Sequence, residues 1–215
     1  MSDQPEQVLC DAQAEALIQS SPQPTRKQEL RRRLRQRRLE AMQGDAALGA
    51  RILAEVIGAI ETQPFPAHHP RKAIGIYWPL PGEVDLRELR HRNAHPLALP
   101  AADGEGRLTY HLWTESPLAQ DRCGIPTPQD QPALAPQQLG LLLVPALAVD
   151  PRGIRLGYGG GYFDRLRAQP AWRSVPALVV LPRACLATSP LPTDPWDVPF
   201  DGWICETGCS RLTAC

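Results

Sequence analysis

Along residues 46–61 the apolar side chains Ile52, Leu53, Val56, Ile57 and Ile60 return with the spacing of one helix face. An amphipathic helix is expected there. A second periodic stretch precedes it at 26–42, where Leu30, Leu34 and Met42 fall along one side and arginines occupy the rest. Further along, the pattern changes to short apolar runs bounded by Pro, Gly and polar residues, the mark of strands. Such runs lie at 72–78, 96–100, 108–113, 140–144, 175–181 and 202–205. The run at 140–144, GLLLV, has no polar interruption, as befits a strand covered on both faces. Helical patterns return at 83–90 and 161–168, and 117–138 reads as a proline-rich loop region. Strands alternating with helices predict an α/β domain: a mainly parallel, Rossmann-like sheet flanked by helices, in a single compact unit over 25–207. The polar residues 1–24 are expected as a flexible N-terminal segment, and 208–215 as a C-terminal tail. Ligands of such sheets sit beyond the carboxyl ends of the strands. The segments 79–82 and 155–164 each follow a predicted strand and so belong on that rim.

Composition changes this picture little. The 215 residues, 43% hydrophobic and 21% charged, suit one soluble domain. The longest apolar run, 141–149, is far short of the roughly 20 residues that cross a bilayer. The opening MSDQPEQVLCDAQAEA has neither a basic nor an apolar signal region, so a cytoplasmic protein without a membrane partner is expected. The six cysteines form no CxxC pair, which reads as reduced thiols rather than a zinc site. Charge matters more. The formal net charge is zero, yet residues 26–38 carry eight basic residues against Glu29 alone. The chain has 21 Arg and only two Lys, Lys27 and Lys72. A lysine in so arginine-rich a chain suits a place that needs a compact ammonium.

The candidate chemistry lies in Arg155-Leu-Gly-Tyr-Gly-Gly-Gly-Tyr-Phe-Asp-Arg-Leu166, with four glycines in five residues. Glycine costs conformational entropy on folding, so four together suggest a ligand that approaches bare main chain. The segment is neither a P-loop, which needs a Lys after its glycines, nor a GxGxxG fingerprint, because Tyr162 stands at the last position. Consecutive N–H groups at Gly159, Gly160 and Gly161 can still converge on an anion. Asp164 would stand beside such a phosphate, a conflict that a Mg²⁺ ion between them removes. The alternative is a tight strand-to-helix turn in which Asp164 only complements the helix dipole.

The run VDPRGIRLGYGGGYFDRL resembles the signature of the 5-formyltetrahydrofolate cyclo-ligases, also called methenyltetrahydrofolate synthetases. Other landmarks follow in family order: RKQELRRRLRQR, IGIYWPLPGEVD, GIPTP and PFDGWICETG. The resemblance spans about residues 26–207. It implies a compact α/β fold and an enzyme, an ATP-dependent ligase forming a C–N bond. The implied reaction converts 5-formyltetrahydrofolate and ATP to 5,10-methenyltetrahydrofolate, ADP and phosphate with Mg²⁺, through phosphorylation of the formyl oxygen. The implied partners are small molecules, with no nucleic acid, and the chain is expected as a monomer.

Carried onto this chain, the resemblance makes Arg155, Leu156, Gly157, Tyr158, Gly159, Gly160, Gly161, Tyr162 and Phe163 an ATP-binding loop, joined by Lys27. Tyr158 to Tyr162 also border folate, with Trp78 as an apolar contact and Glu83 as the folate-binding acid. Asp164 and Asp201 match metal-binding aspartates, and Tyr162, Asp164 and Lys27 are the expected catalytic residues. A carboxylate such as Glu83 can accept two adjacent N–H groups of a pterin edge. On spacing alone it reads instead as a solvated acid at a helix start. Two departures stand out. Tyr158 and Gly160 occupy places where some family members carry basic residues, and Phe163 lacks a hydroxyl familiar at its position. Two other readings compete: a nucleic-acid-binding protein using the basic helix, and a folate- or nucleotide-binding regulator without catalysis.

Overall fold

The structure is a computed structural model and describes residues 23–62, 72–92 and 94–212. Helix α1 spans Gln23–Gly44 and α2 spans Leu48–Glu61. The predicted apolar face of α2 is buried, through Leu48, Ile52, Leu53, Val56, Ala59 and Ile60. Among the described side chains of α1 the buried positions are Lys27, Leu34 and Arg38, so two of its basic residues turn inward.

The strands that follow are β1 (Ala73–Gly75), β2 (Leu97–Ala102), β3 (Leu108–Leu112), β4 (Ala119–Gln120), β5 (Pro126–Thr127), β6 (Leu139–Pro145), β7 (Ala148–Val149), β8 (Arg155–Leu156), β9 (Ala177–Val180), β10 (Gly202–Cys205) and β11 (Gly208–Arg211). Three short helices join them: α3 (Leu89–Arg92), α4 (Tyr162–Ala168) and α5 (Pro170–Arg173). The main sheet has seven strands in the order β11-β10-β9-β6-β1-β2-β3. Strands β10, β9, β6, β1 and β2 run parallel, and β3 and β11 add antiparallel edges. This is the expected mainly parallel α/β sheet in one domain.

Every residue of β6 is buried, because both faces of the sheet are covered. Leu141 and Leu143 point into the cluster under α2, while Leu142 and Val144 join Leu166 and Trp172 under α4 and α5. Full burial of each such leucine contributes about 1.5–3 kcal/mol.

The sequence pattern misplaces three segments. The helix expected at 83–90 is extended at its start and becomes helical only at Leu89. Tyr77 donates its hydroxyl to the Val84 carbonyl, and Asp85 accepts the Arg87 amide at 2.9 Å, so the backbone bonds needed for an earlier turn are diverted. The region 117–138 contains the hairpin β4–β5. The stretch from 208, expected as a tail, enters the sheet as β11, and Cys209 pairs with Ile204. The N-terminal segment expected as flexible falls almost wholly outside the described residues, with Gln23 and Pro24 opening α1.

Candidate active site

The carboxyl ends of β6, β1 and β2 open into a cavity of about 210 Å³. Pro145 from β6, Tyr77 and Trp78 after β1, and Pro100 and Ala102 from β2 form its floor and sides. The opposite wall is the glycine loop, through Tyr158, Gly160, Gly161, Tyr162 and Phe163, with Arg155 beneath it. Asp121, Cys123 and Ile125, from the β4–β5 hairpin, close a third side. The Trp78 ring packs edge-on to Trp113 at 6.1 Å, with the Arg87 guanidinium 4.9 Å from its centroid.

Glu83 lines this cavity but is already engaged. One carboxylate oxygen accepts the Tyr158 hydroxyl and lies 3.5 Å from Arg38 Nη1; the other accepts the Leu80 amide at 2.8 Å. Arg38 also donates to the Tyr158 oxygen and to the carbonyls of Ala146 and Pro81, at 3.3 and 3.2 Å. Burial pushes the Glu83 carboxyl above its ordinary value, against the Leu80 amide, Tyr158 and Arg38, which favour the anion. The acid of the sequence motif is thus an inward residue in a polar network, and the solvated reading of it is corrected.

A pinned turn delivers the glycine loop. Buried Asp150 accepts the amides of Arg152, Ile154 and Leu191 at 2.9–3.0 Å, and Gly153 completes the turn at φ +80°. β7 and β8 then run antiparallel into the loop. Gly159 and Gly161 hold φ of 105° and 66°, conformations that suit glycine. Among the described residues, no hydrogen bond is donated by the amides of Gly159, Gly160 or Gly161. Their N–H groups remain available to an anion. Arginines surround the loop. Arg31 donates to the Gly157 carbonyl at 3.0 Å and would lie 3.5 Å from a methyl group on Gly159. Arg165 donates to the Gly160 carbonyl from the other side.

Residues 23–206 match the 5-formyltetrahydrofolate cyclo-ligase family. The chain belongs to that family. It is 30% identical over 138 residues to the 5-formyltetrahydrofolate cyclo-ligase of Haemophilus influenzae, covering 60% of this chain and 73% of that protein. The Escherichia coli K12 protein of the same name is 27% identical over 146 residues, 66% of this chain and 69% of that one. An NMR structure of Aquifex aeolicus 5,10-methenyltetrahydrofolate synthetase aligns with a TM-score of 0.67 at 26% identity, over 87% of this chain and 93% of that one. The synthetase structure from Mycoplasma pneumoniae shares the fold at 22% identity and a TM-score of 0.64.

The remaining expected site residues of this cyclo-ligase family member are not part of the cavity lining. Lys27 is buried and salt-bridged to Asp194 and Asp197 at 2.6 and 2.9 Å. Burial alone would lower its pKa, but the two carboxylates outweigh that and raise it. Asp164 faces Arg155, its oxygens 3.3 and 3.5 Å from Nη2. Asp201 accepts the Ala177 amide at 2.7 Å and Arg167 at 3.2 Å. Between these aspartates the Phe200 ring is flanked by the guanidiniums of Arg155 and Arg167, each 5.4 Å from its centroid. Leu156 buries its side chain under α1 and offers a ligand only its main chain.

Sequence reasoning missed Arg31, Arg38, Asp121, Cys123, Asp150 and Arg165. A signal existed for two of them, because Lys27, Arg31, Leu34 and Arg38 recur at helical spacing and share one face of α1. No such signal existed for Cys123, whose thiol meets the Tyr162 hydroxyl at 3.2 Å across 39 residues of chain. Among the described residues no group of three or more His, Cys, Asp and Glu is placed to hold a metal ion, and no helix is long and apolar enough to cross a membrane.

Proposed function

We propose that this chain cyclises 5-formyltetrahydrofolate to 5,10-methenyltetrahydrofolate at the expense of ATP, with Mg²⁺. The supporting observation is the glycine loop: it walls a strand-end cavity while its amides at 159–161 stay undonated and cations stand on both sides. The cavity takes the pterin, stacked near Trp78 and held by the Glu83 carboxylate, which keeps one acceptor site, on Oε2, beyond those it uses. The loop takes the phosphates on main-chain N–H groups, with Arg31 at its Gly157 carbonyl, and Lys27, one turn earlier on α1, would add its charge from the Asp194 and Asp197 pair.

A formyl amide is a poor electrophile. Transfer of the γ-phosphoryl group to its oxygen forms an O–P bond, breaks the bond to ADP and turns that oxygen into a leaving group. The amine at position 10 then attacks the formyl carbon, a C–N bond forms, and phosphate departs as the amine loses its proton. Such chemistry needs positioning and charge stabilisation rather than a side-chain nucleophile. Tyr162, half-buried in the cavity wall, holds the substrate against the loop by ring contact.

Asp164 and Asp201 are the carboxylates that would hold the magnesium ion. Among the described residues Asp164 is contacted only by the long Arg155 pair, and Asp201 Oδ1 carries no hydrogen bond. Mg²⁺ takes one or two carboxylates together with phosphate oxygens, which matches that donor set. Bound there, the ion would neutralise charge on the transferring phosphates.

The nucleic-acid reading is weaker. Of the basic residues in 26–38, Lys27 and Arg38 are buried, Arg31 lies on the glycine loop and Arg32 pairs with Glu29 at 2.6 Å. Four of the eight basic residues are thus engaged within the fold. The deciding experiment follows methenyltetrahydrofolate absorbance with formyl substrate, ATP and Mg²⁺. Product should form only with all three, and Asp164→Ala should abolish it while leaving the circular dichroism spectrum intact. Absence of product from the wild-type protein would reject the assignment.

A further inference from the structure

The glycine loop has no basic side chain between Leu156 and Asp164, and its central positions are Tyr158 and Gly160. A phosphate chain needs cationic charge there as well as N–H groups. Arg165 lies one residue beyond Asp164 and folds back over the loop. Its Nε donates to the Gly106 carbonyl at 2.7 Å, and its Nη2 donates to the Gly160 carbonyl. Its guanidinium carbon stands 5.5 Å from the Tyr162 ring centroid and would be 3.4 Å from a methyl group on Gly161. The β2–β3 turn is shaped for it: Gly106 sits at φ 103°, and a methyl group there would come within 2.5 Å of Arg165 Cζ. Arg165 forms no ion pair among the described residues. The buried arginines nearby, Arg155 and Arg167, are each paired with an aspartate. With two N–H groups spent on carbonyls, the rest of the guanidinium fork is free, held in place and uncompensated.

We propose that Arg165 supplies the phosphate-facing charge that the glycine loop lacks in its own sequence, and that the Gly106 turn holds it there. This rests on the loop being the phosphate site of the reaction proposed above. The role is in binding the anionic chain, so it separates from folate recognition on the cavity side.

The test is calorimetric titration of the full chain with inorganic tripolyphosphate and, separately, with 5-formyltetrahydrofolate, for wild type, Arg165→Gln and Arg165→Lys. Loss of one charge-assisted contact should weaken tripolyphosphate binding by about tenfold in Arg165→Gln. Folate binding should stay within about twofold, and Arg165→Lys should recover part of the loss, because the charge is kept while the fork that holds it is not. Added salt should narrow the difference between wild type and Arg165→Gln. Three results would overturn the proposal: no tripolyphosphate binding by wild type, equal weakening of both ligands, or equal weakening in the Gln and Lys variants. Equal weakening would show Arg165 to be only a staple between loop and turn. Failure of the cyclisation assay is a separate outcome, because tripolyphosphate binding is read without turnover.

Discussion

Replacing Arg38 by leucine should cost this protein far more than a surface arginine would. The side chains of Arg38 and Glu83 are 2% and 3% exposed, and the guanidinium reaches the Glu83 carboxylate, the Tyr158 hydroxyl and two main-chain carbonyls. Leucine fills much of the same volume but leaves Glu83 charged, buried and without its cation. Breaking a buried pair in this way costs about 3–5 kcal/mol. For a domain of this size that lowers Tm by about 6–20 °C, at roughly 2–4 °C per kcal/mol. The double variant Arg38→Leu/Glu83→Gln removes the stranded charge, while the Gln amide can still accept from the Leu80 amide. It should therefore recover about half of the loss. Urea unfolding followed by tryptophan fluorescence measures both, with unchanged m-values as the check that only stability has moved. An Arg38→Leu cost below about 1 kcal/mol, or a double variant at the sum of the singles, would refute the claim that these charges depend on each other.

Two further outcomes follow from the titrating groups, beside the Asp164 and Arg165 experiments above. Burial holds the Glu83 carboxyl above its ordinary 4.5, so the folded chain binds this proton more tightly than the unfolded chain. Its contribution to stability is complete below the unfolded value and is lost as pH rises through the raised folded value. Urea midpoints across the acid-to-neutral range should therefore fall for wild type relative to Glu83→Gln as pH rises, and a constant difference would contradict the assignment. Burial also pushes the Cys185 thiol up to about 11, so it should resist iodoacetamide at mildly alkaline pH. Exposed Cys123 lines the cavity and should be alkylated, more slowly when 5-formyltetrahydrofolate is bound. Mass spectrometry of the labelled peptides would show either expectation failing.

The sequence by itself determined the architecture, and it put the glycine loop, the candidate site, at the strand ends where it walls the cavity. Short uninterrupted apolar runs bounded by turn residues suit strands covered on both faces, so the parallel sheet and buried β6 were legible. The glycine cluster pointed to bare main chain, and the strand-to-loop order put it at the strand-end rim, where Gly159 and Gly161 take positive φ. Tertiary structure decided which charges serve that rim. Lys27 and Arg38 look like members of a basic surface stripe, yet both are buried because acids more than forty residues away, Asp194, Asp197 and Glu83, meet them in space. Arg31 reaches Gly157 across 126 residues of chain, and Arg165 reaches Gly106 across 59. Periodicity records which side of an element avoids water, because that preference is local. The partner that makes a buried charge tolerable is supplied by another element, and only the packed fold brings the two together.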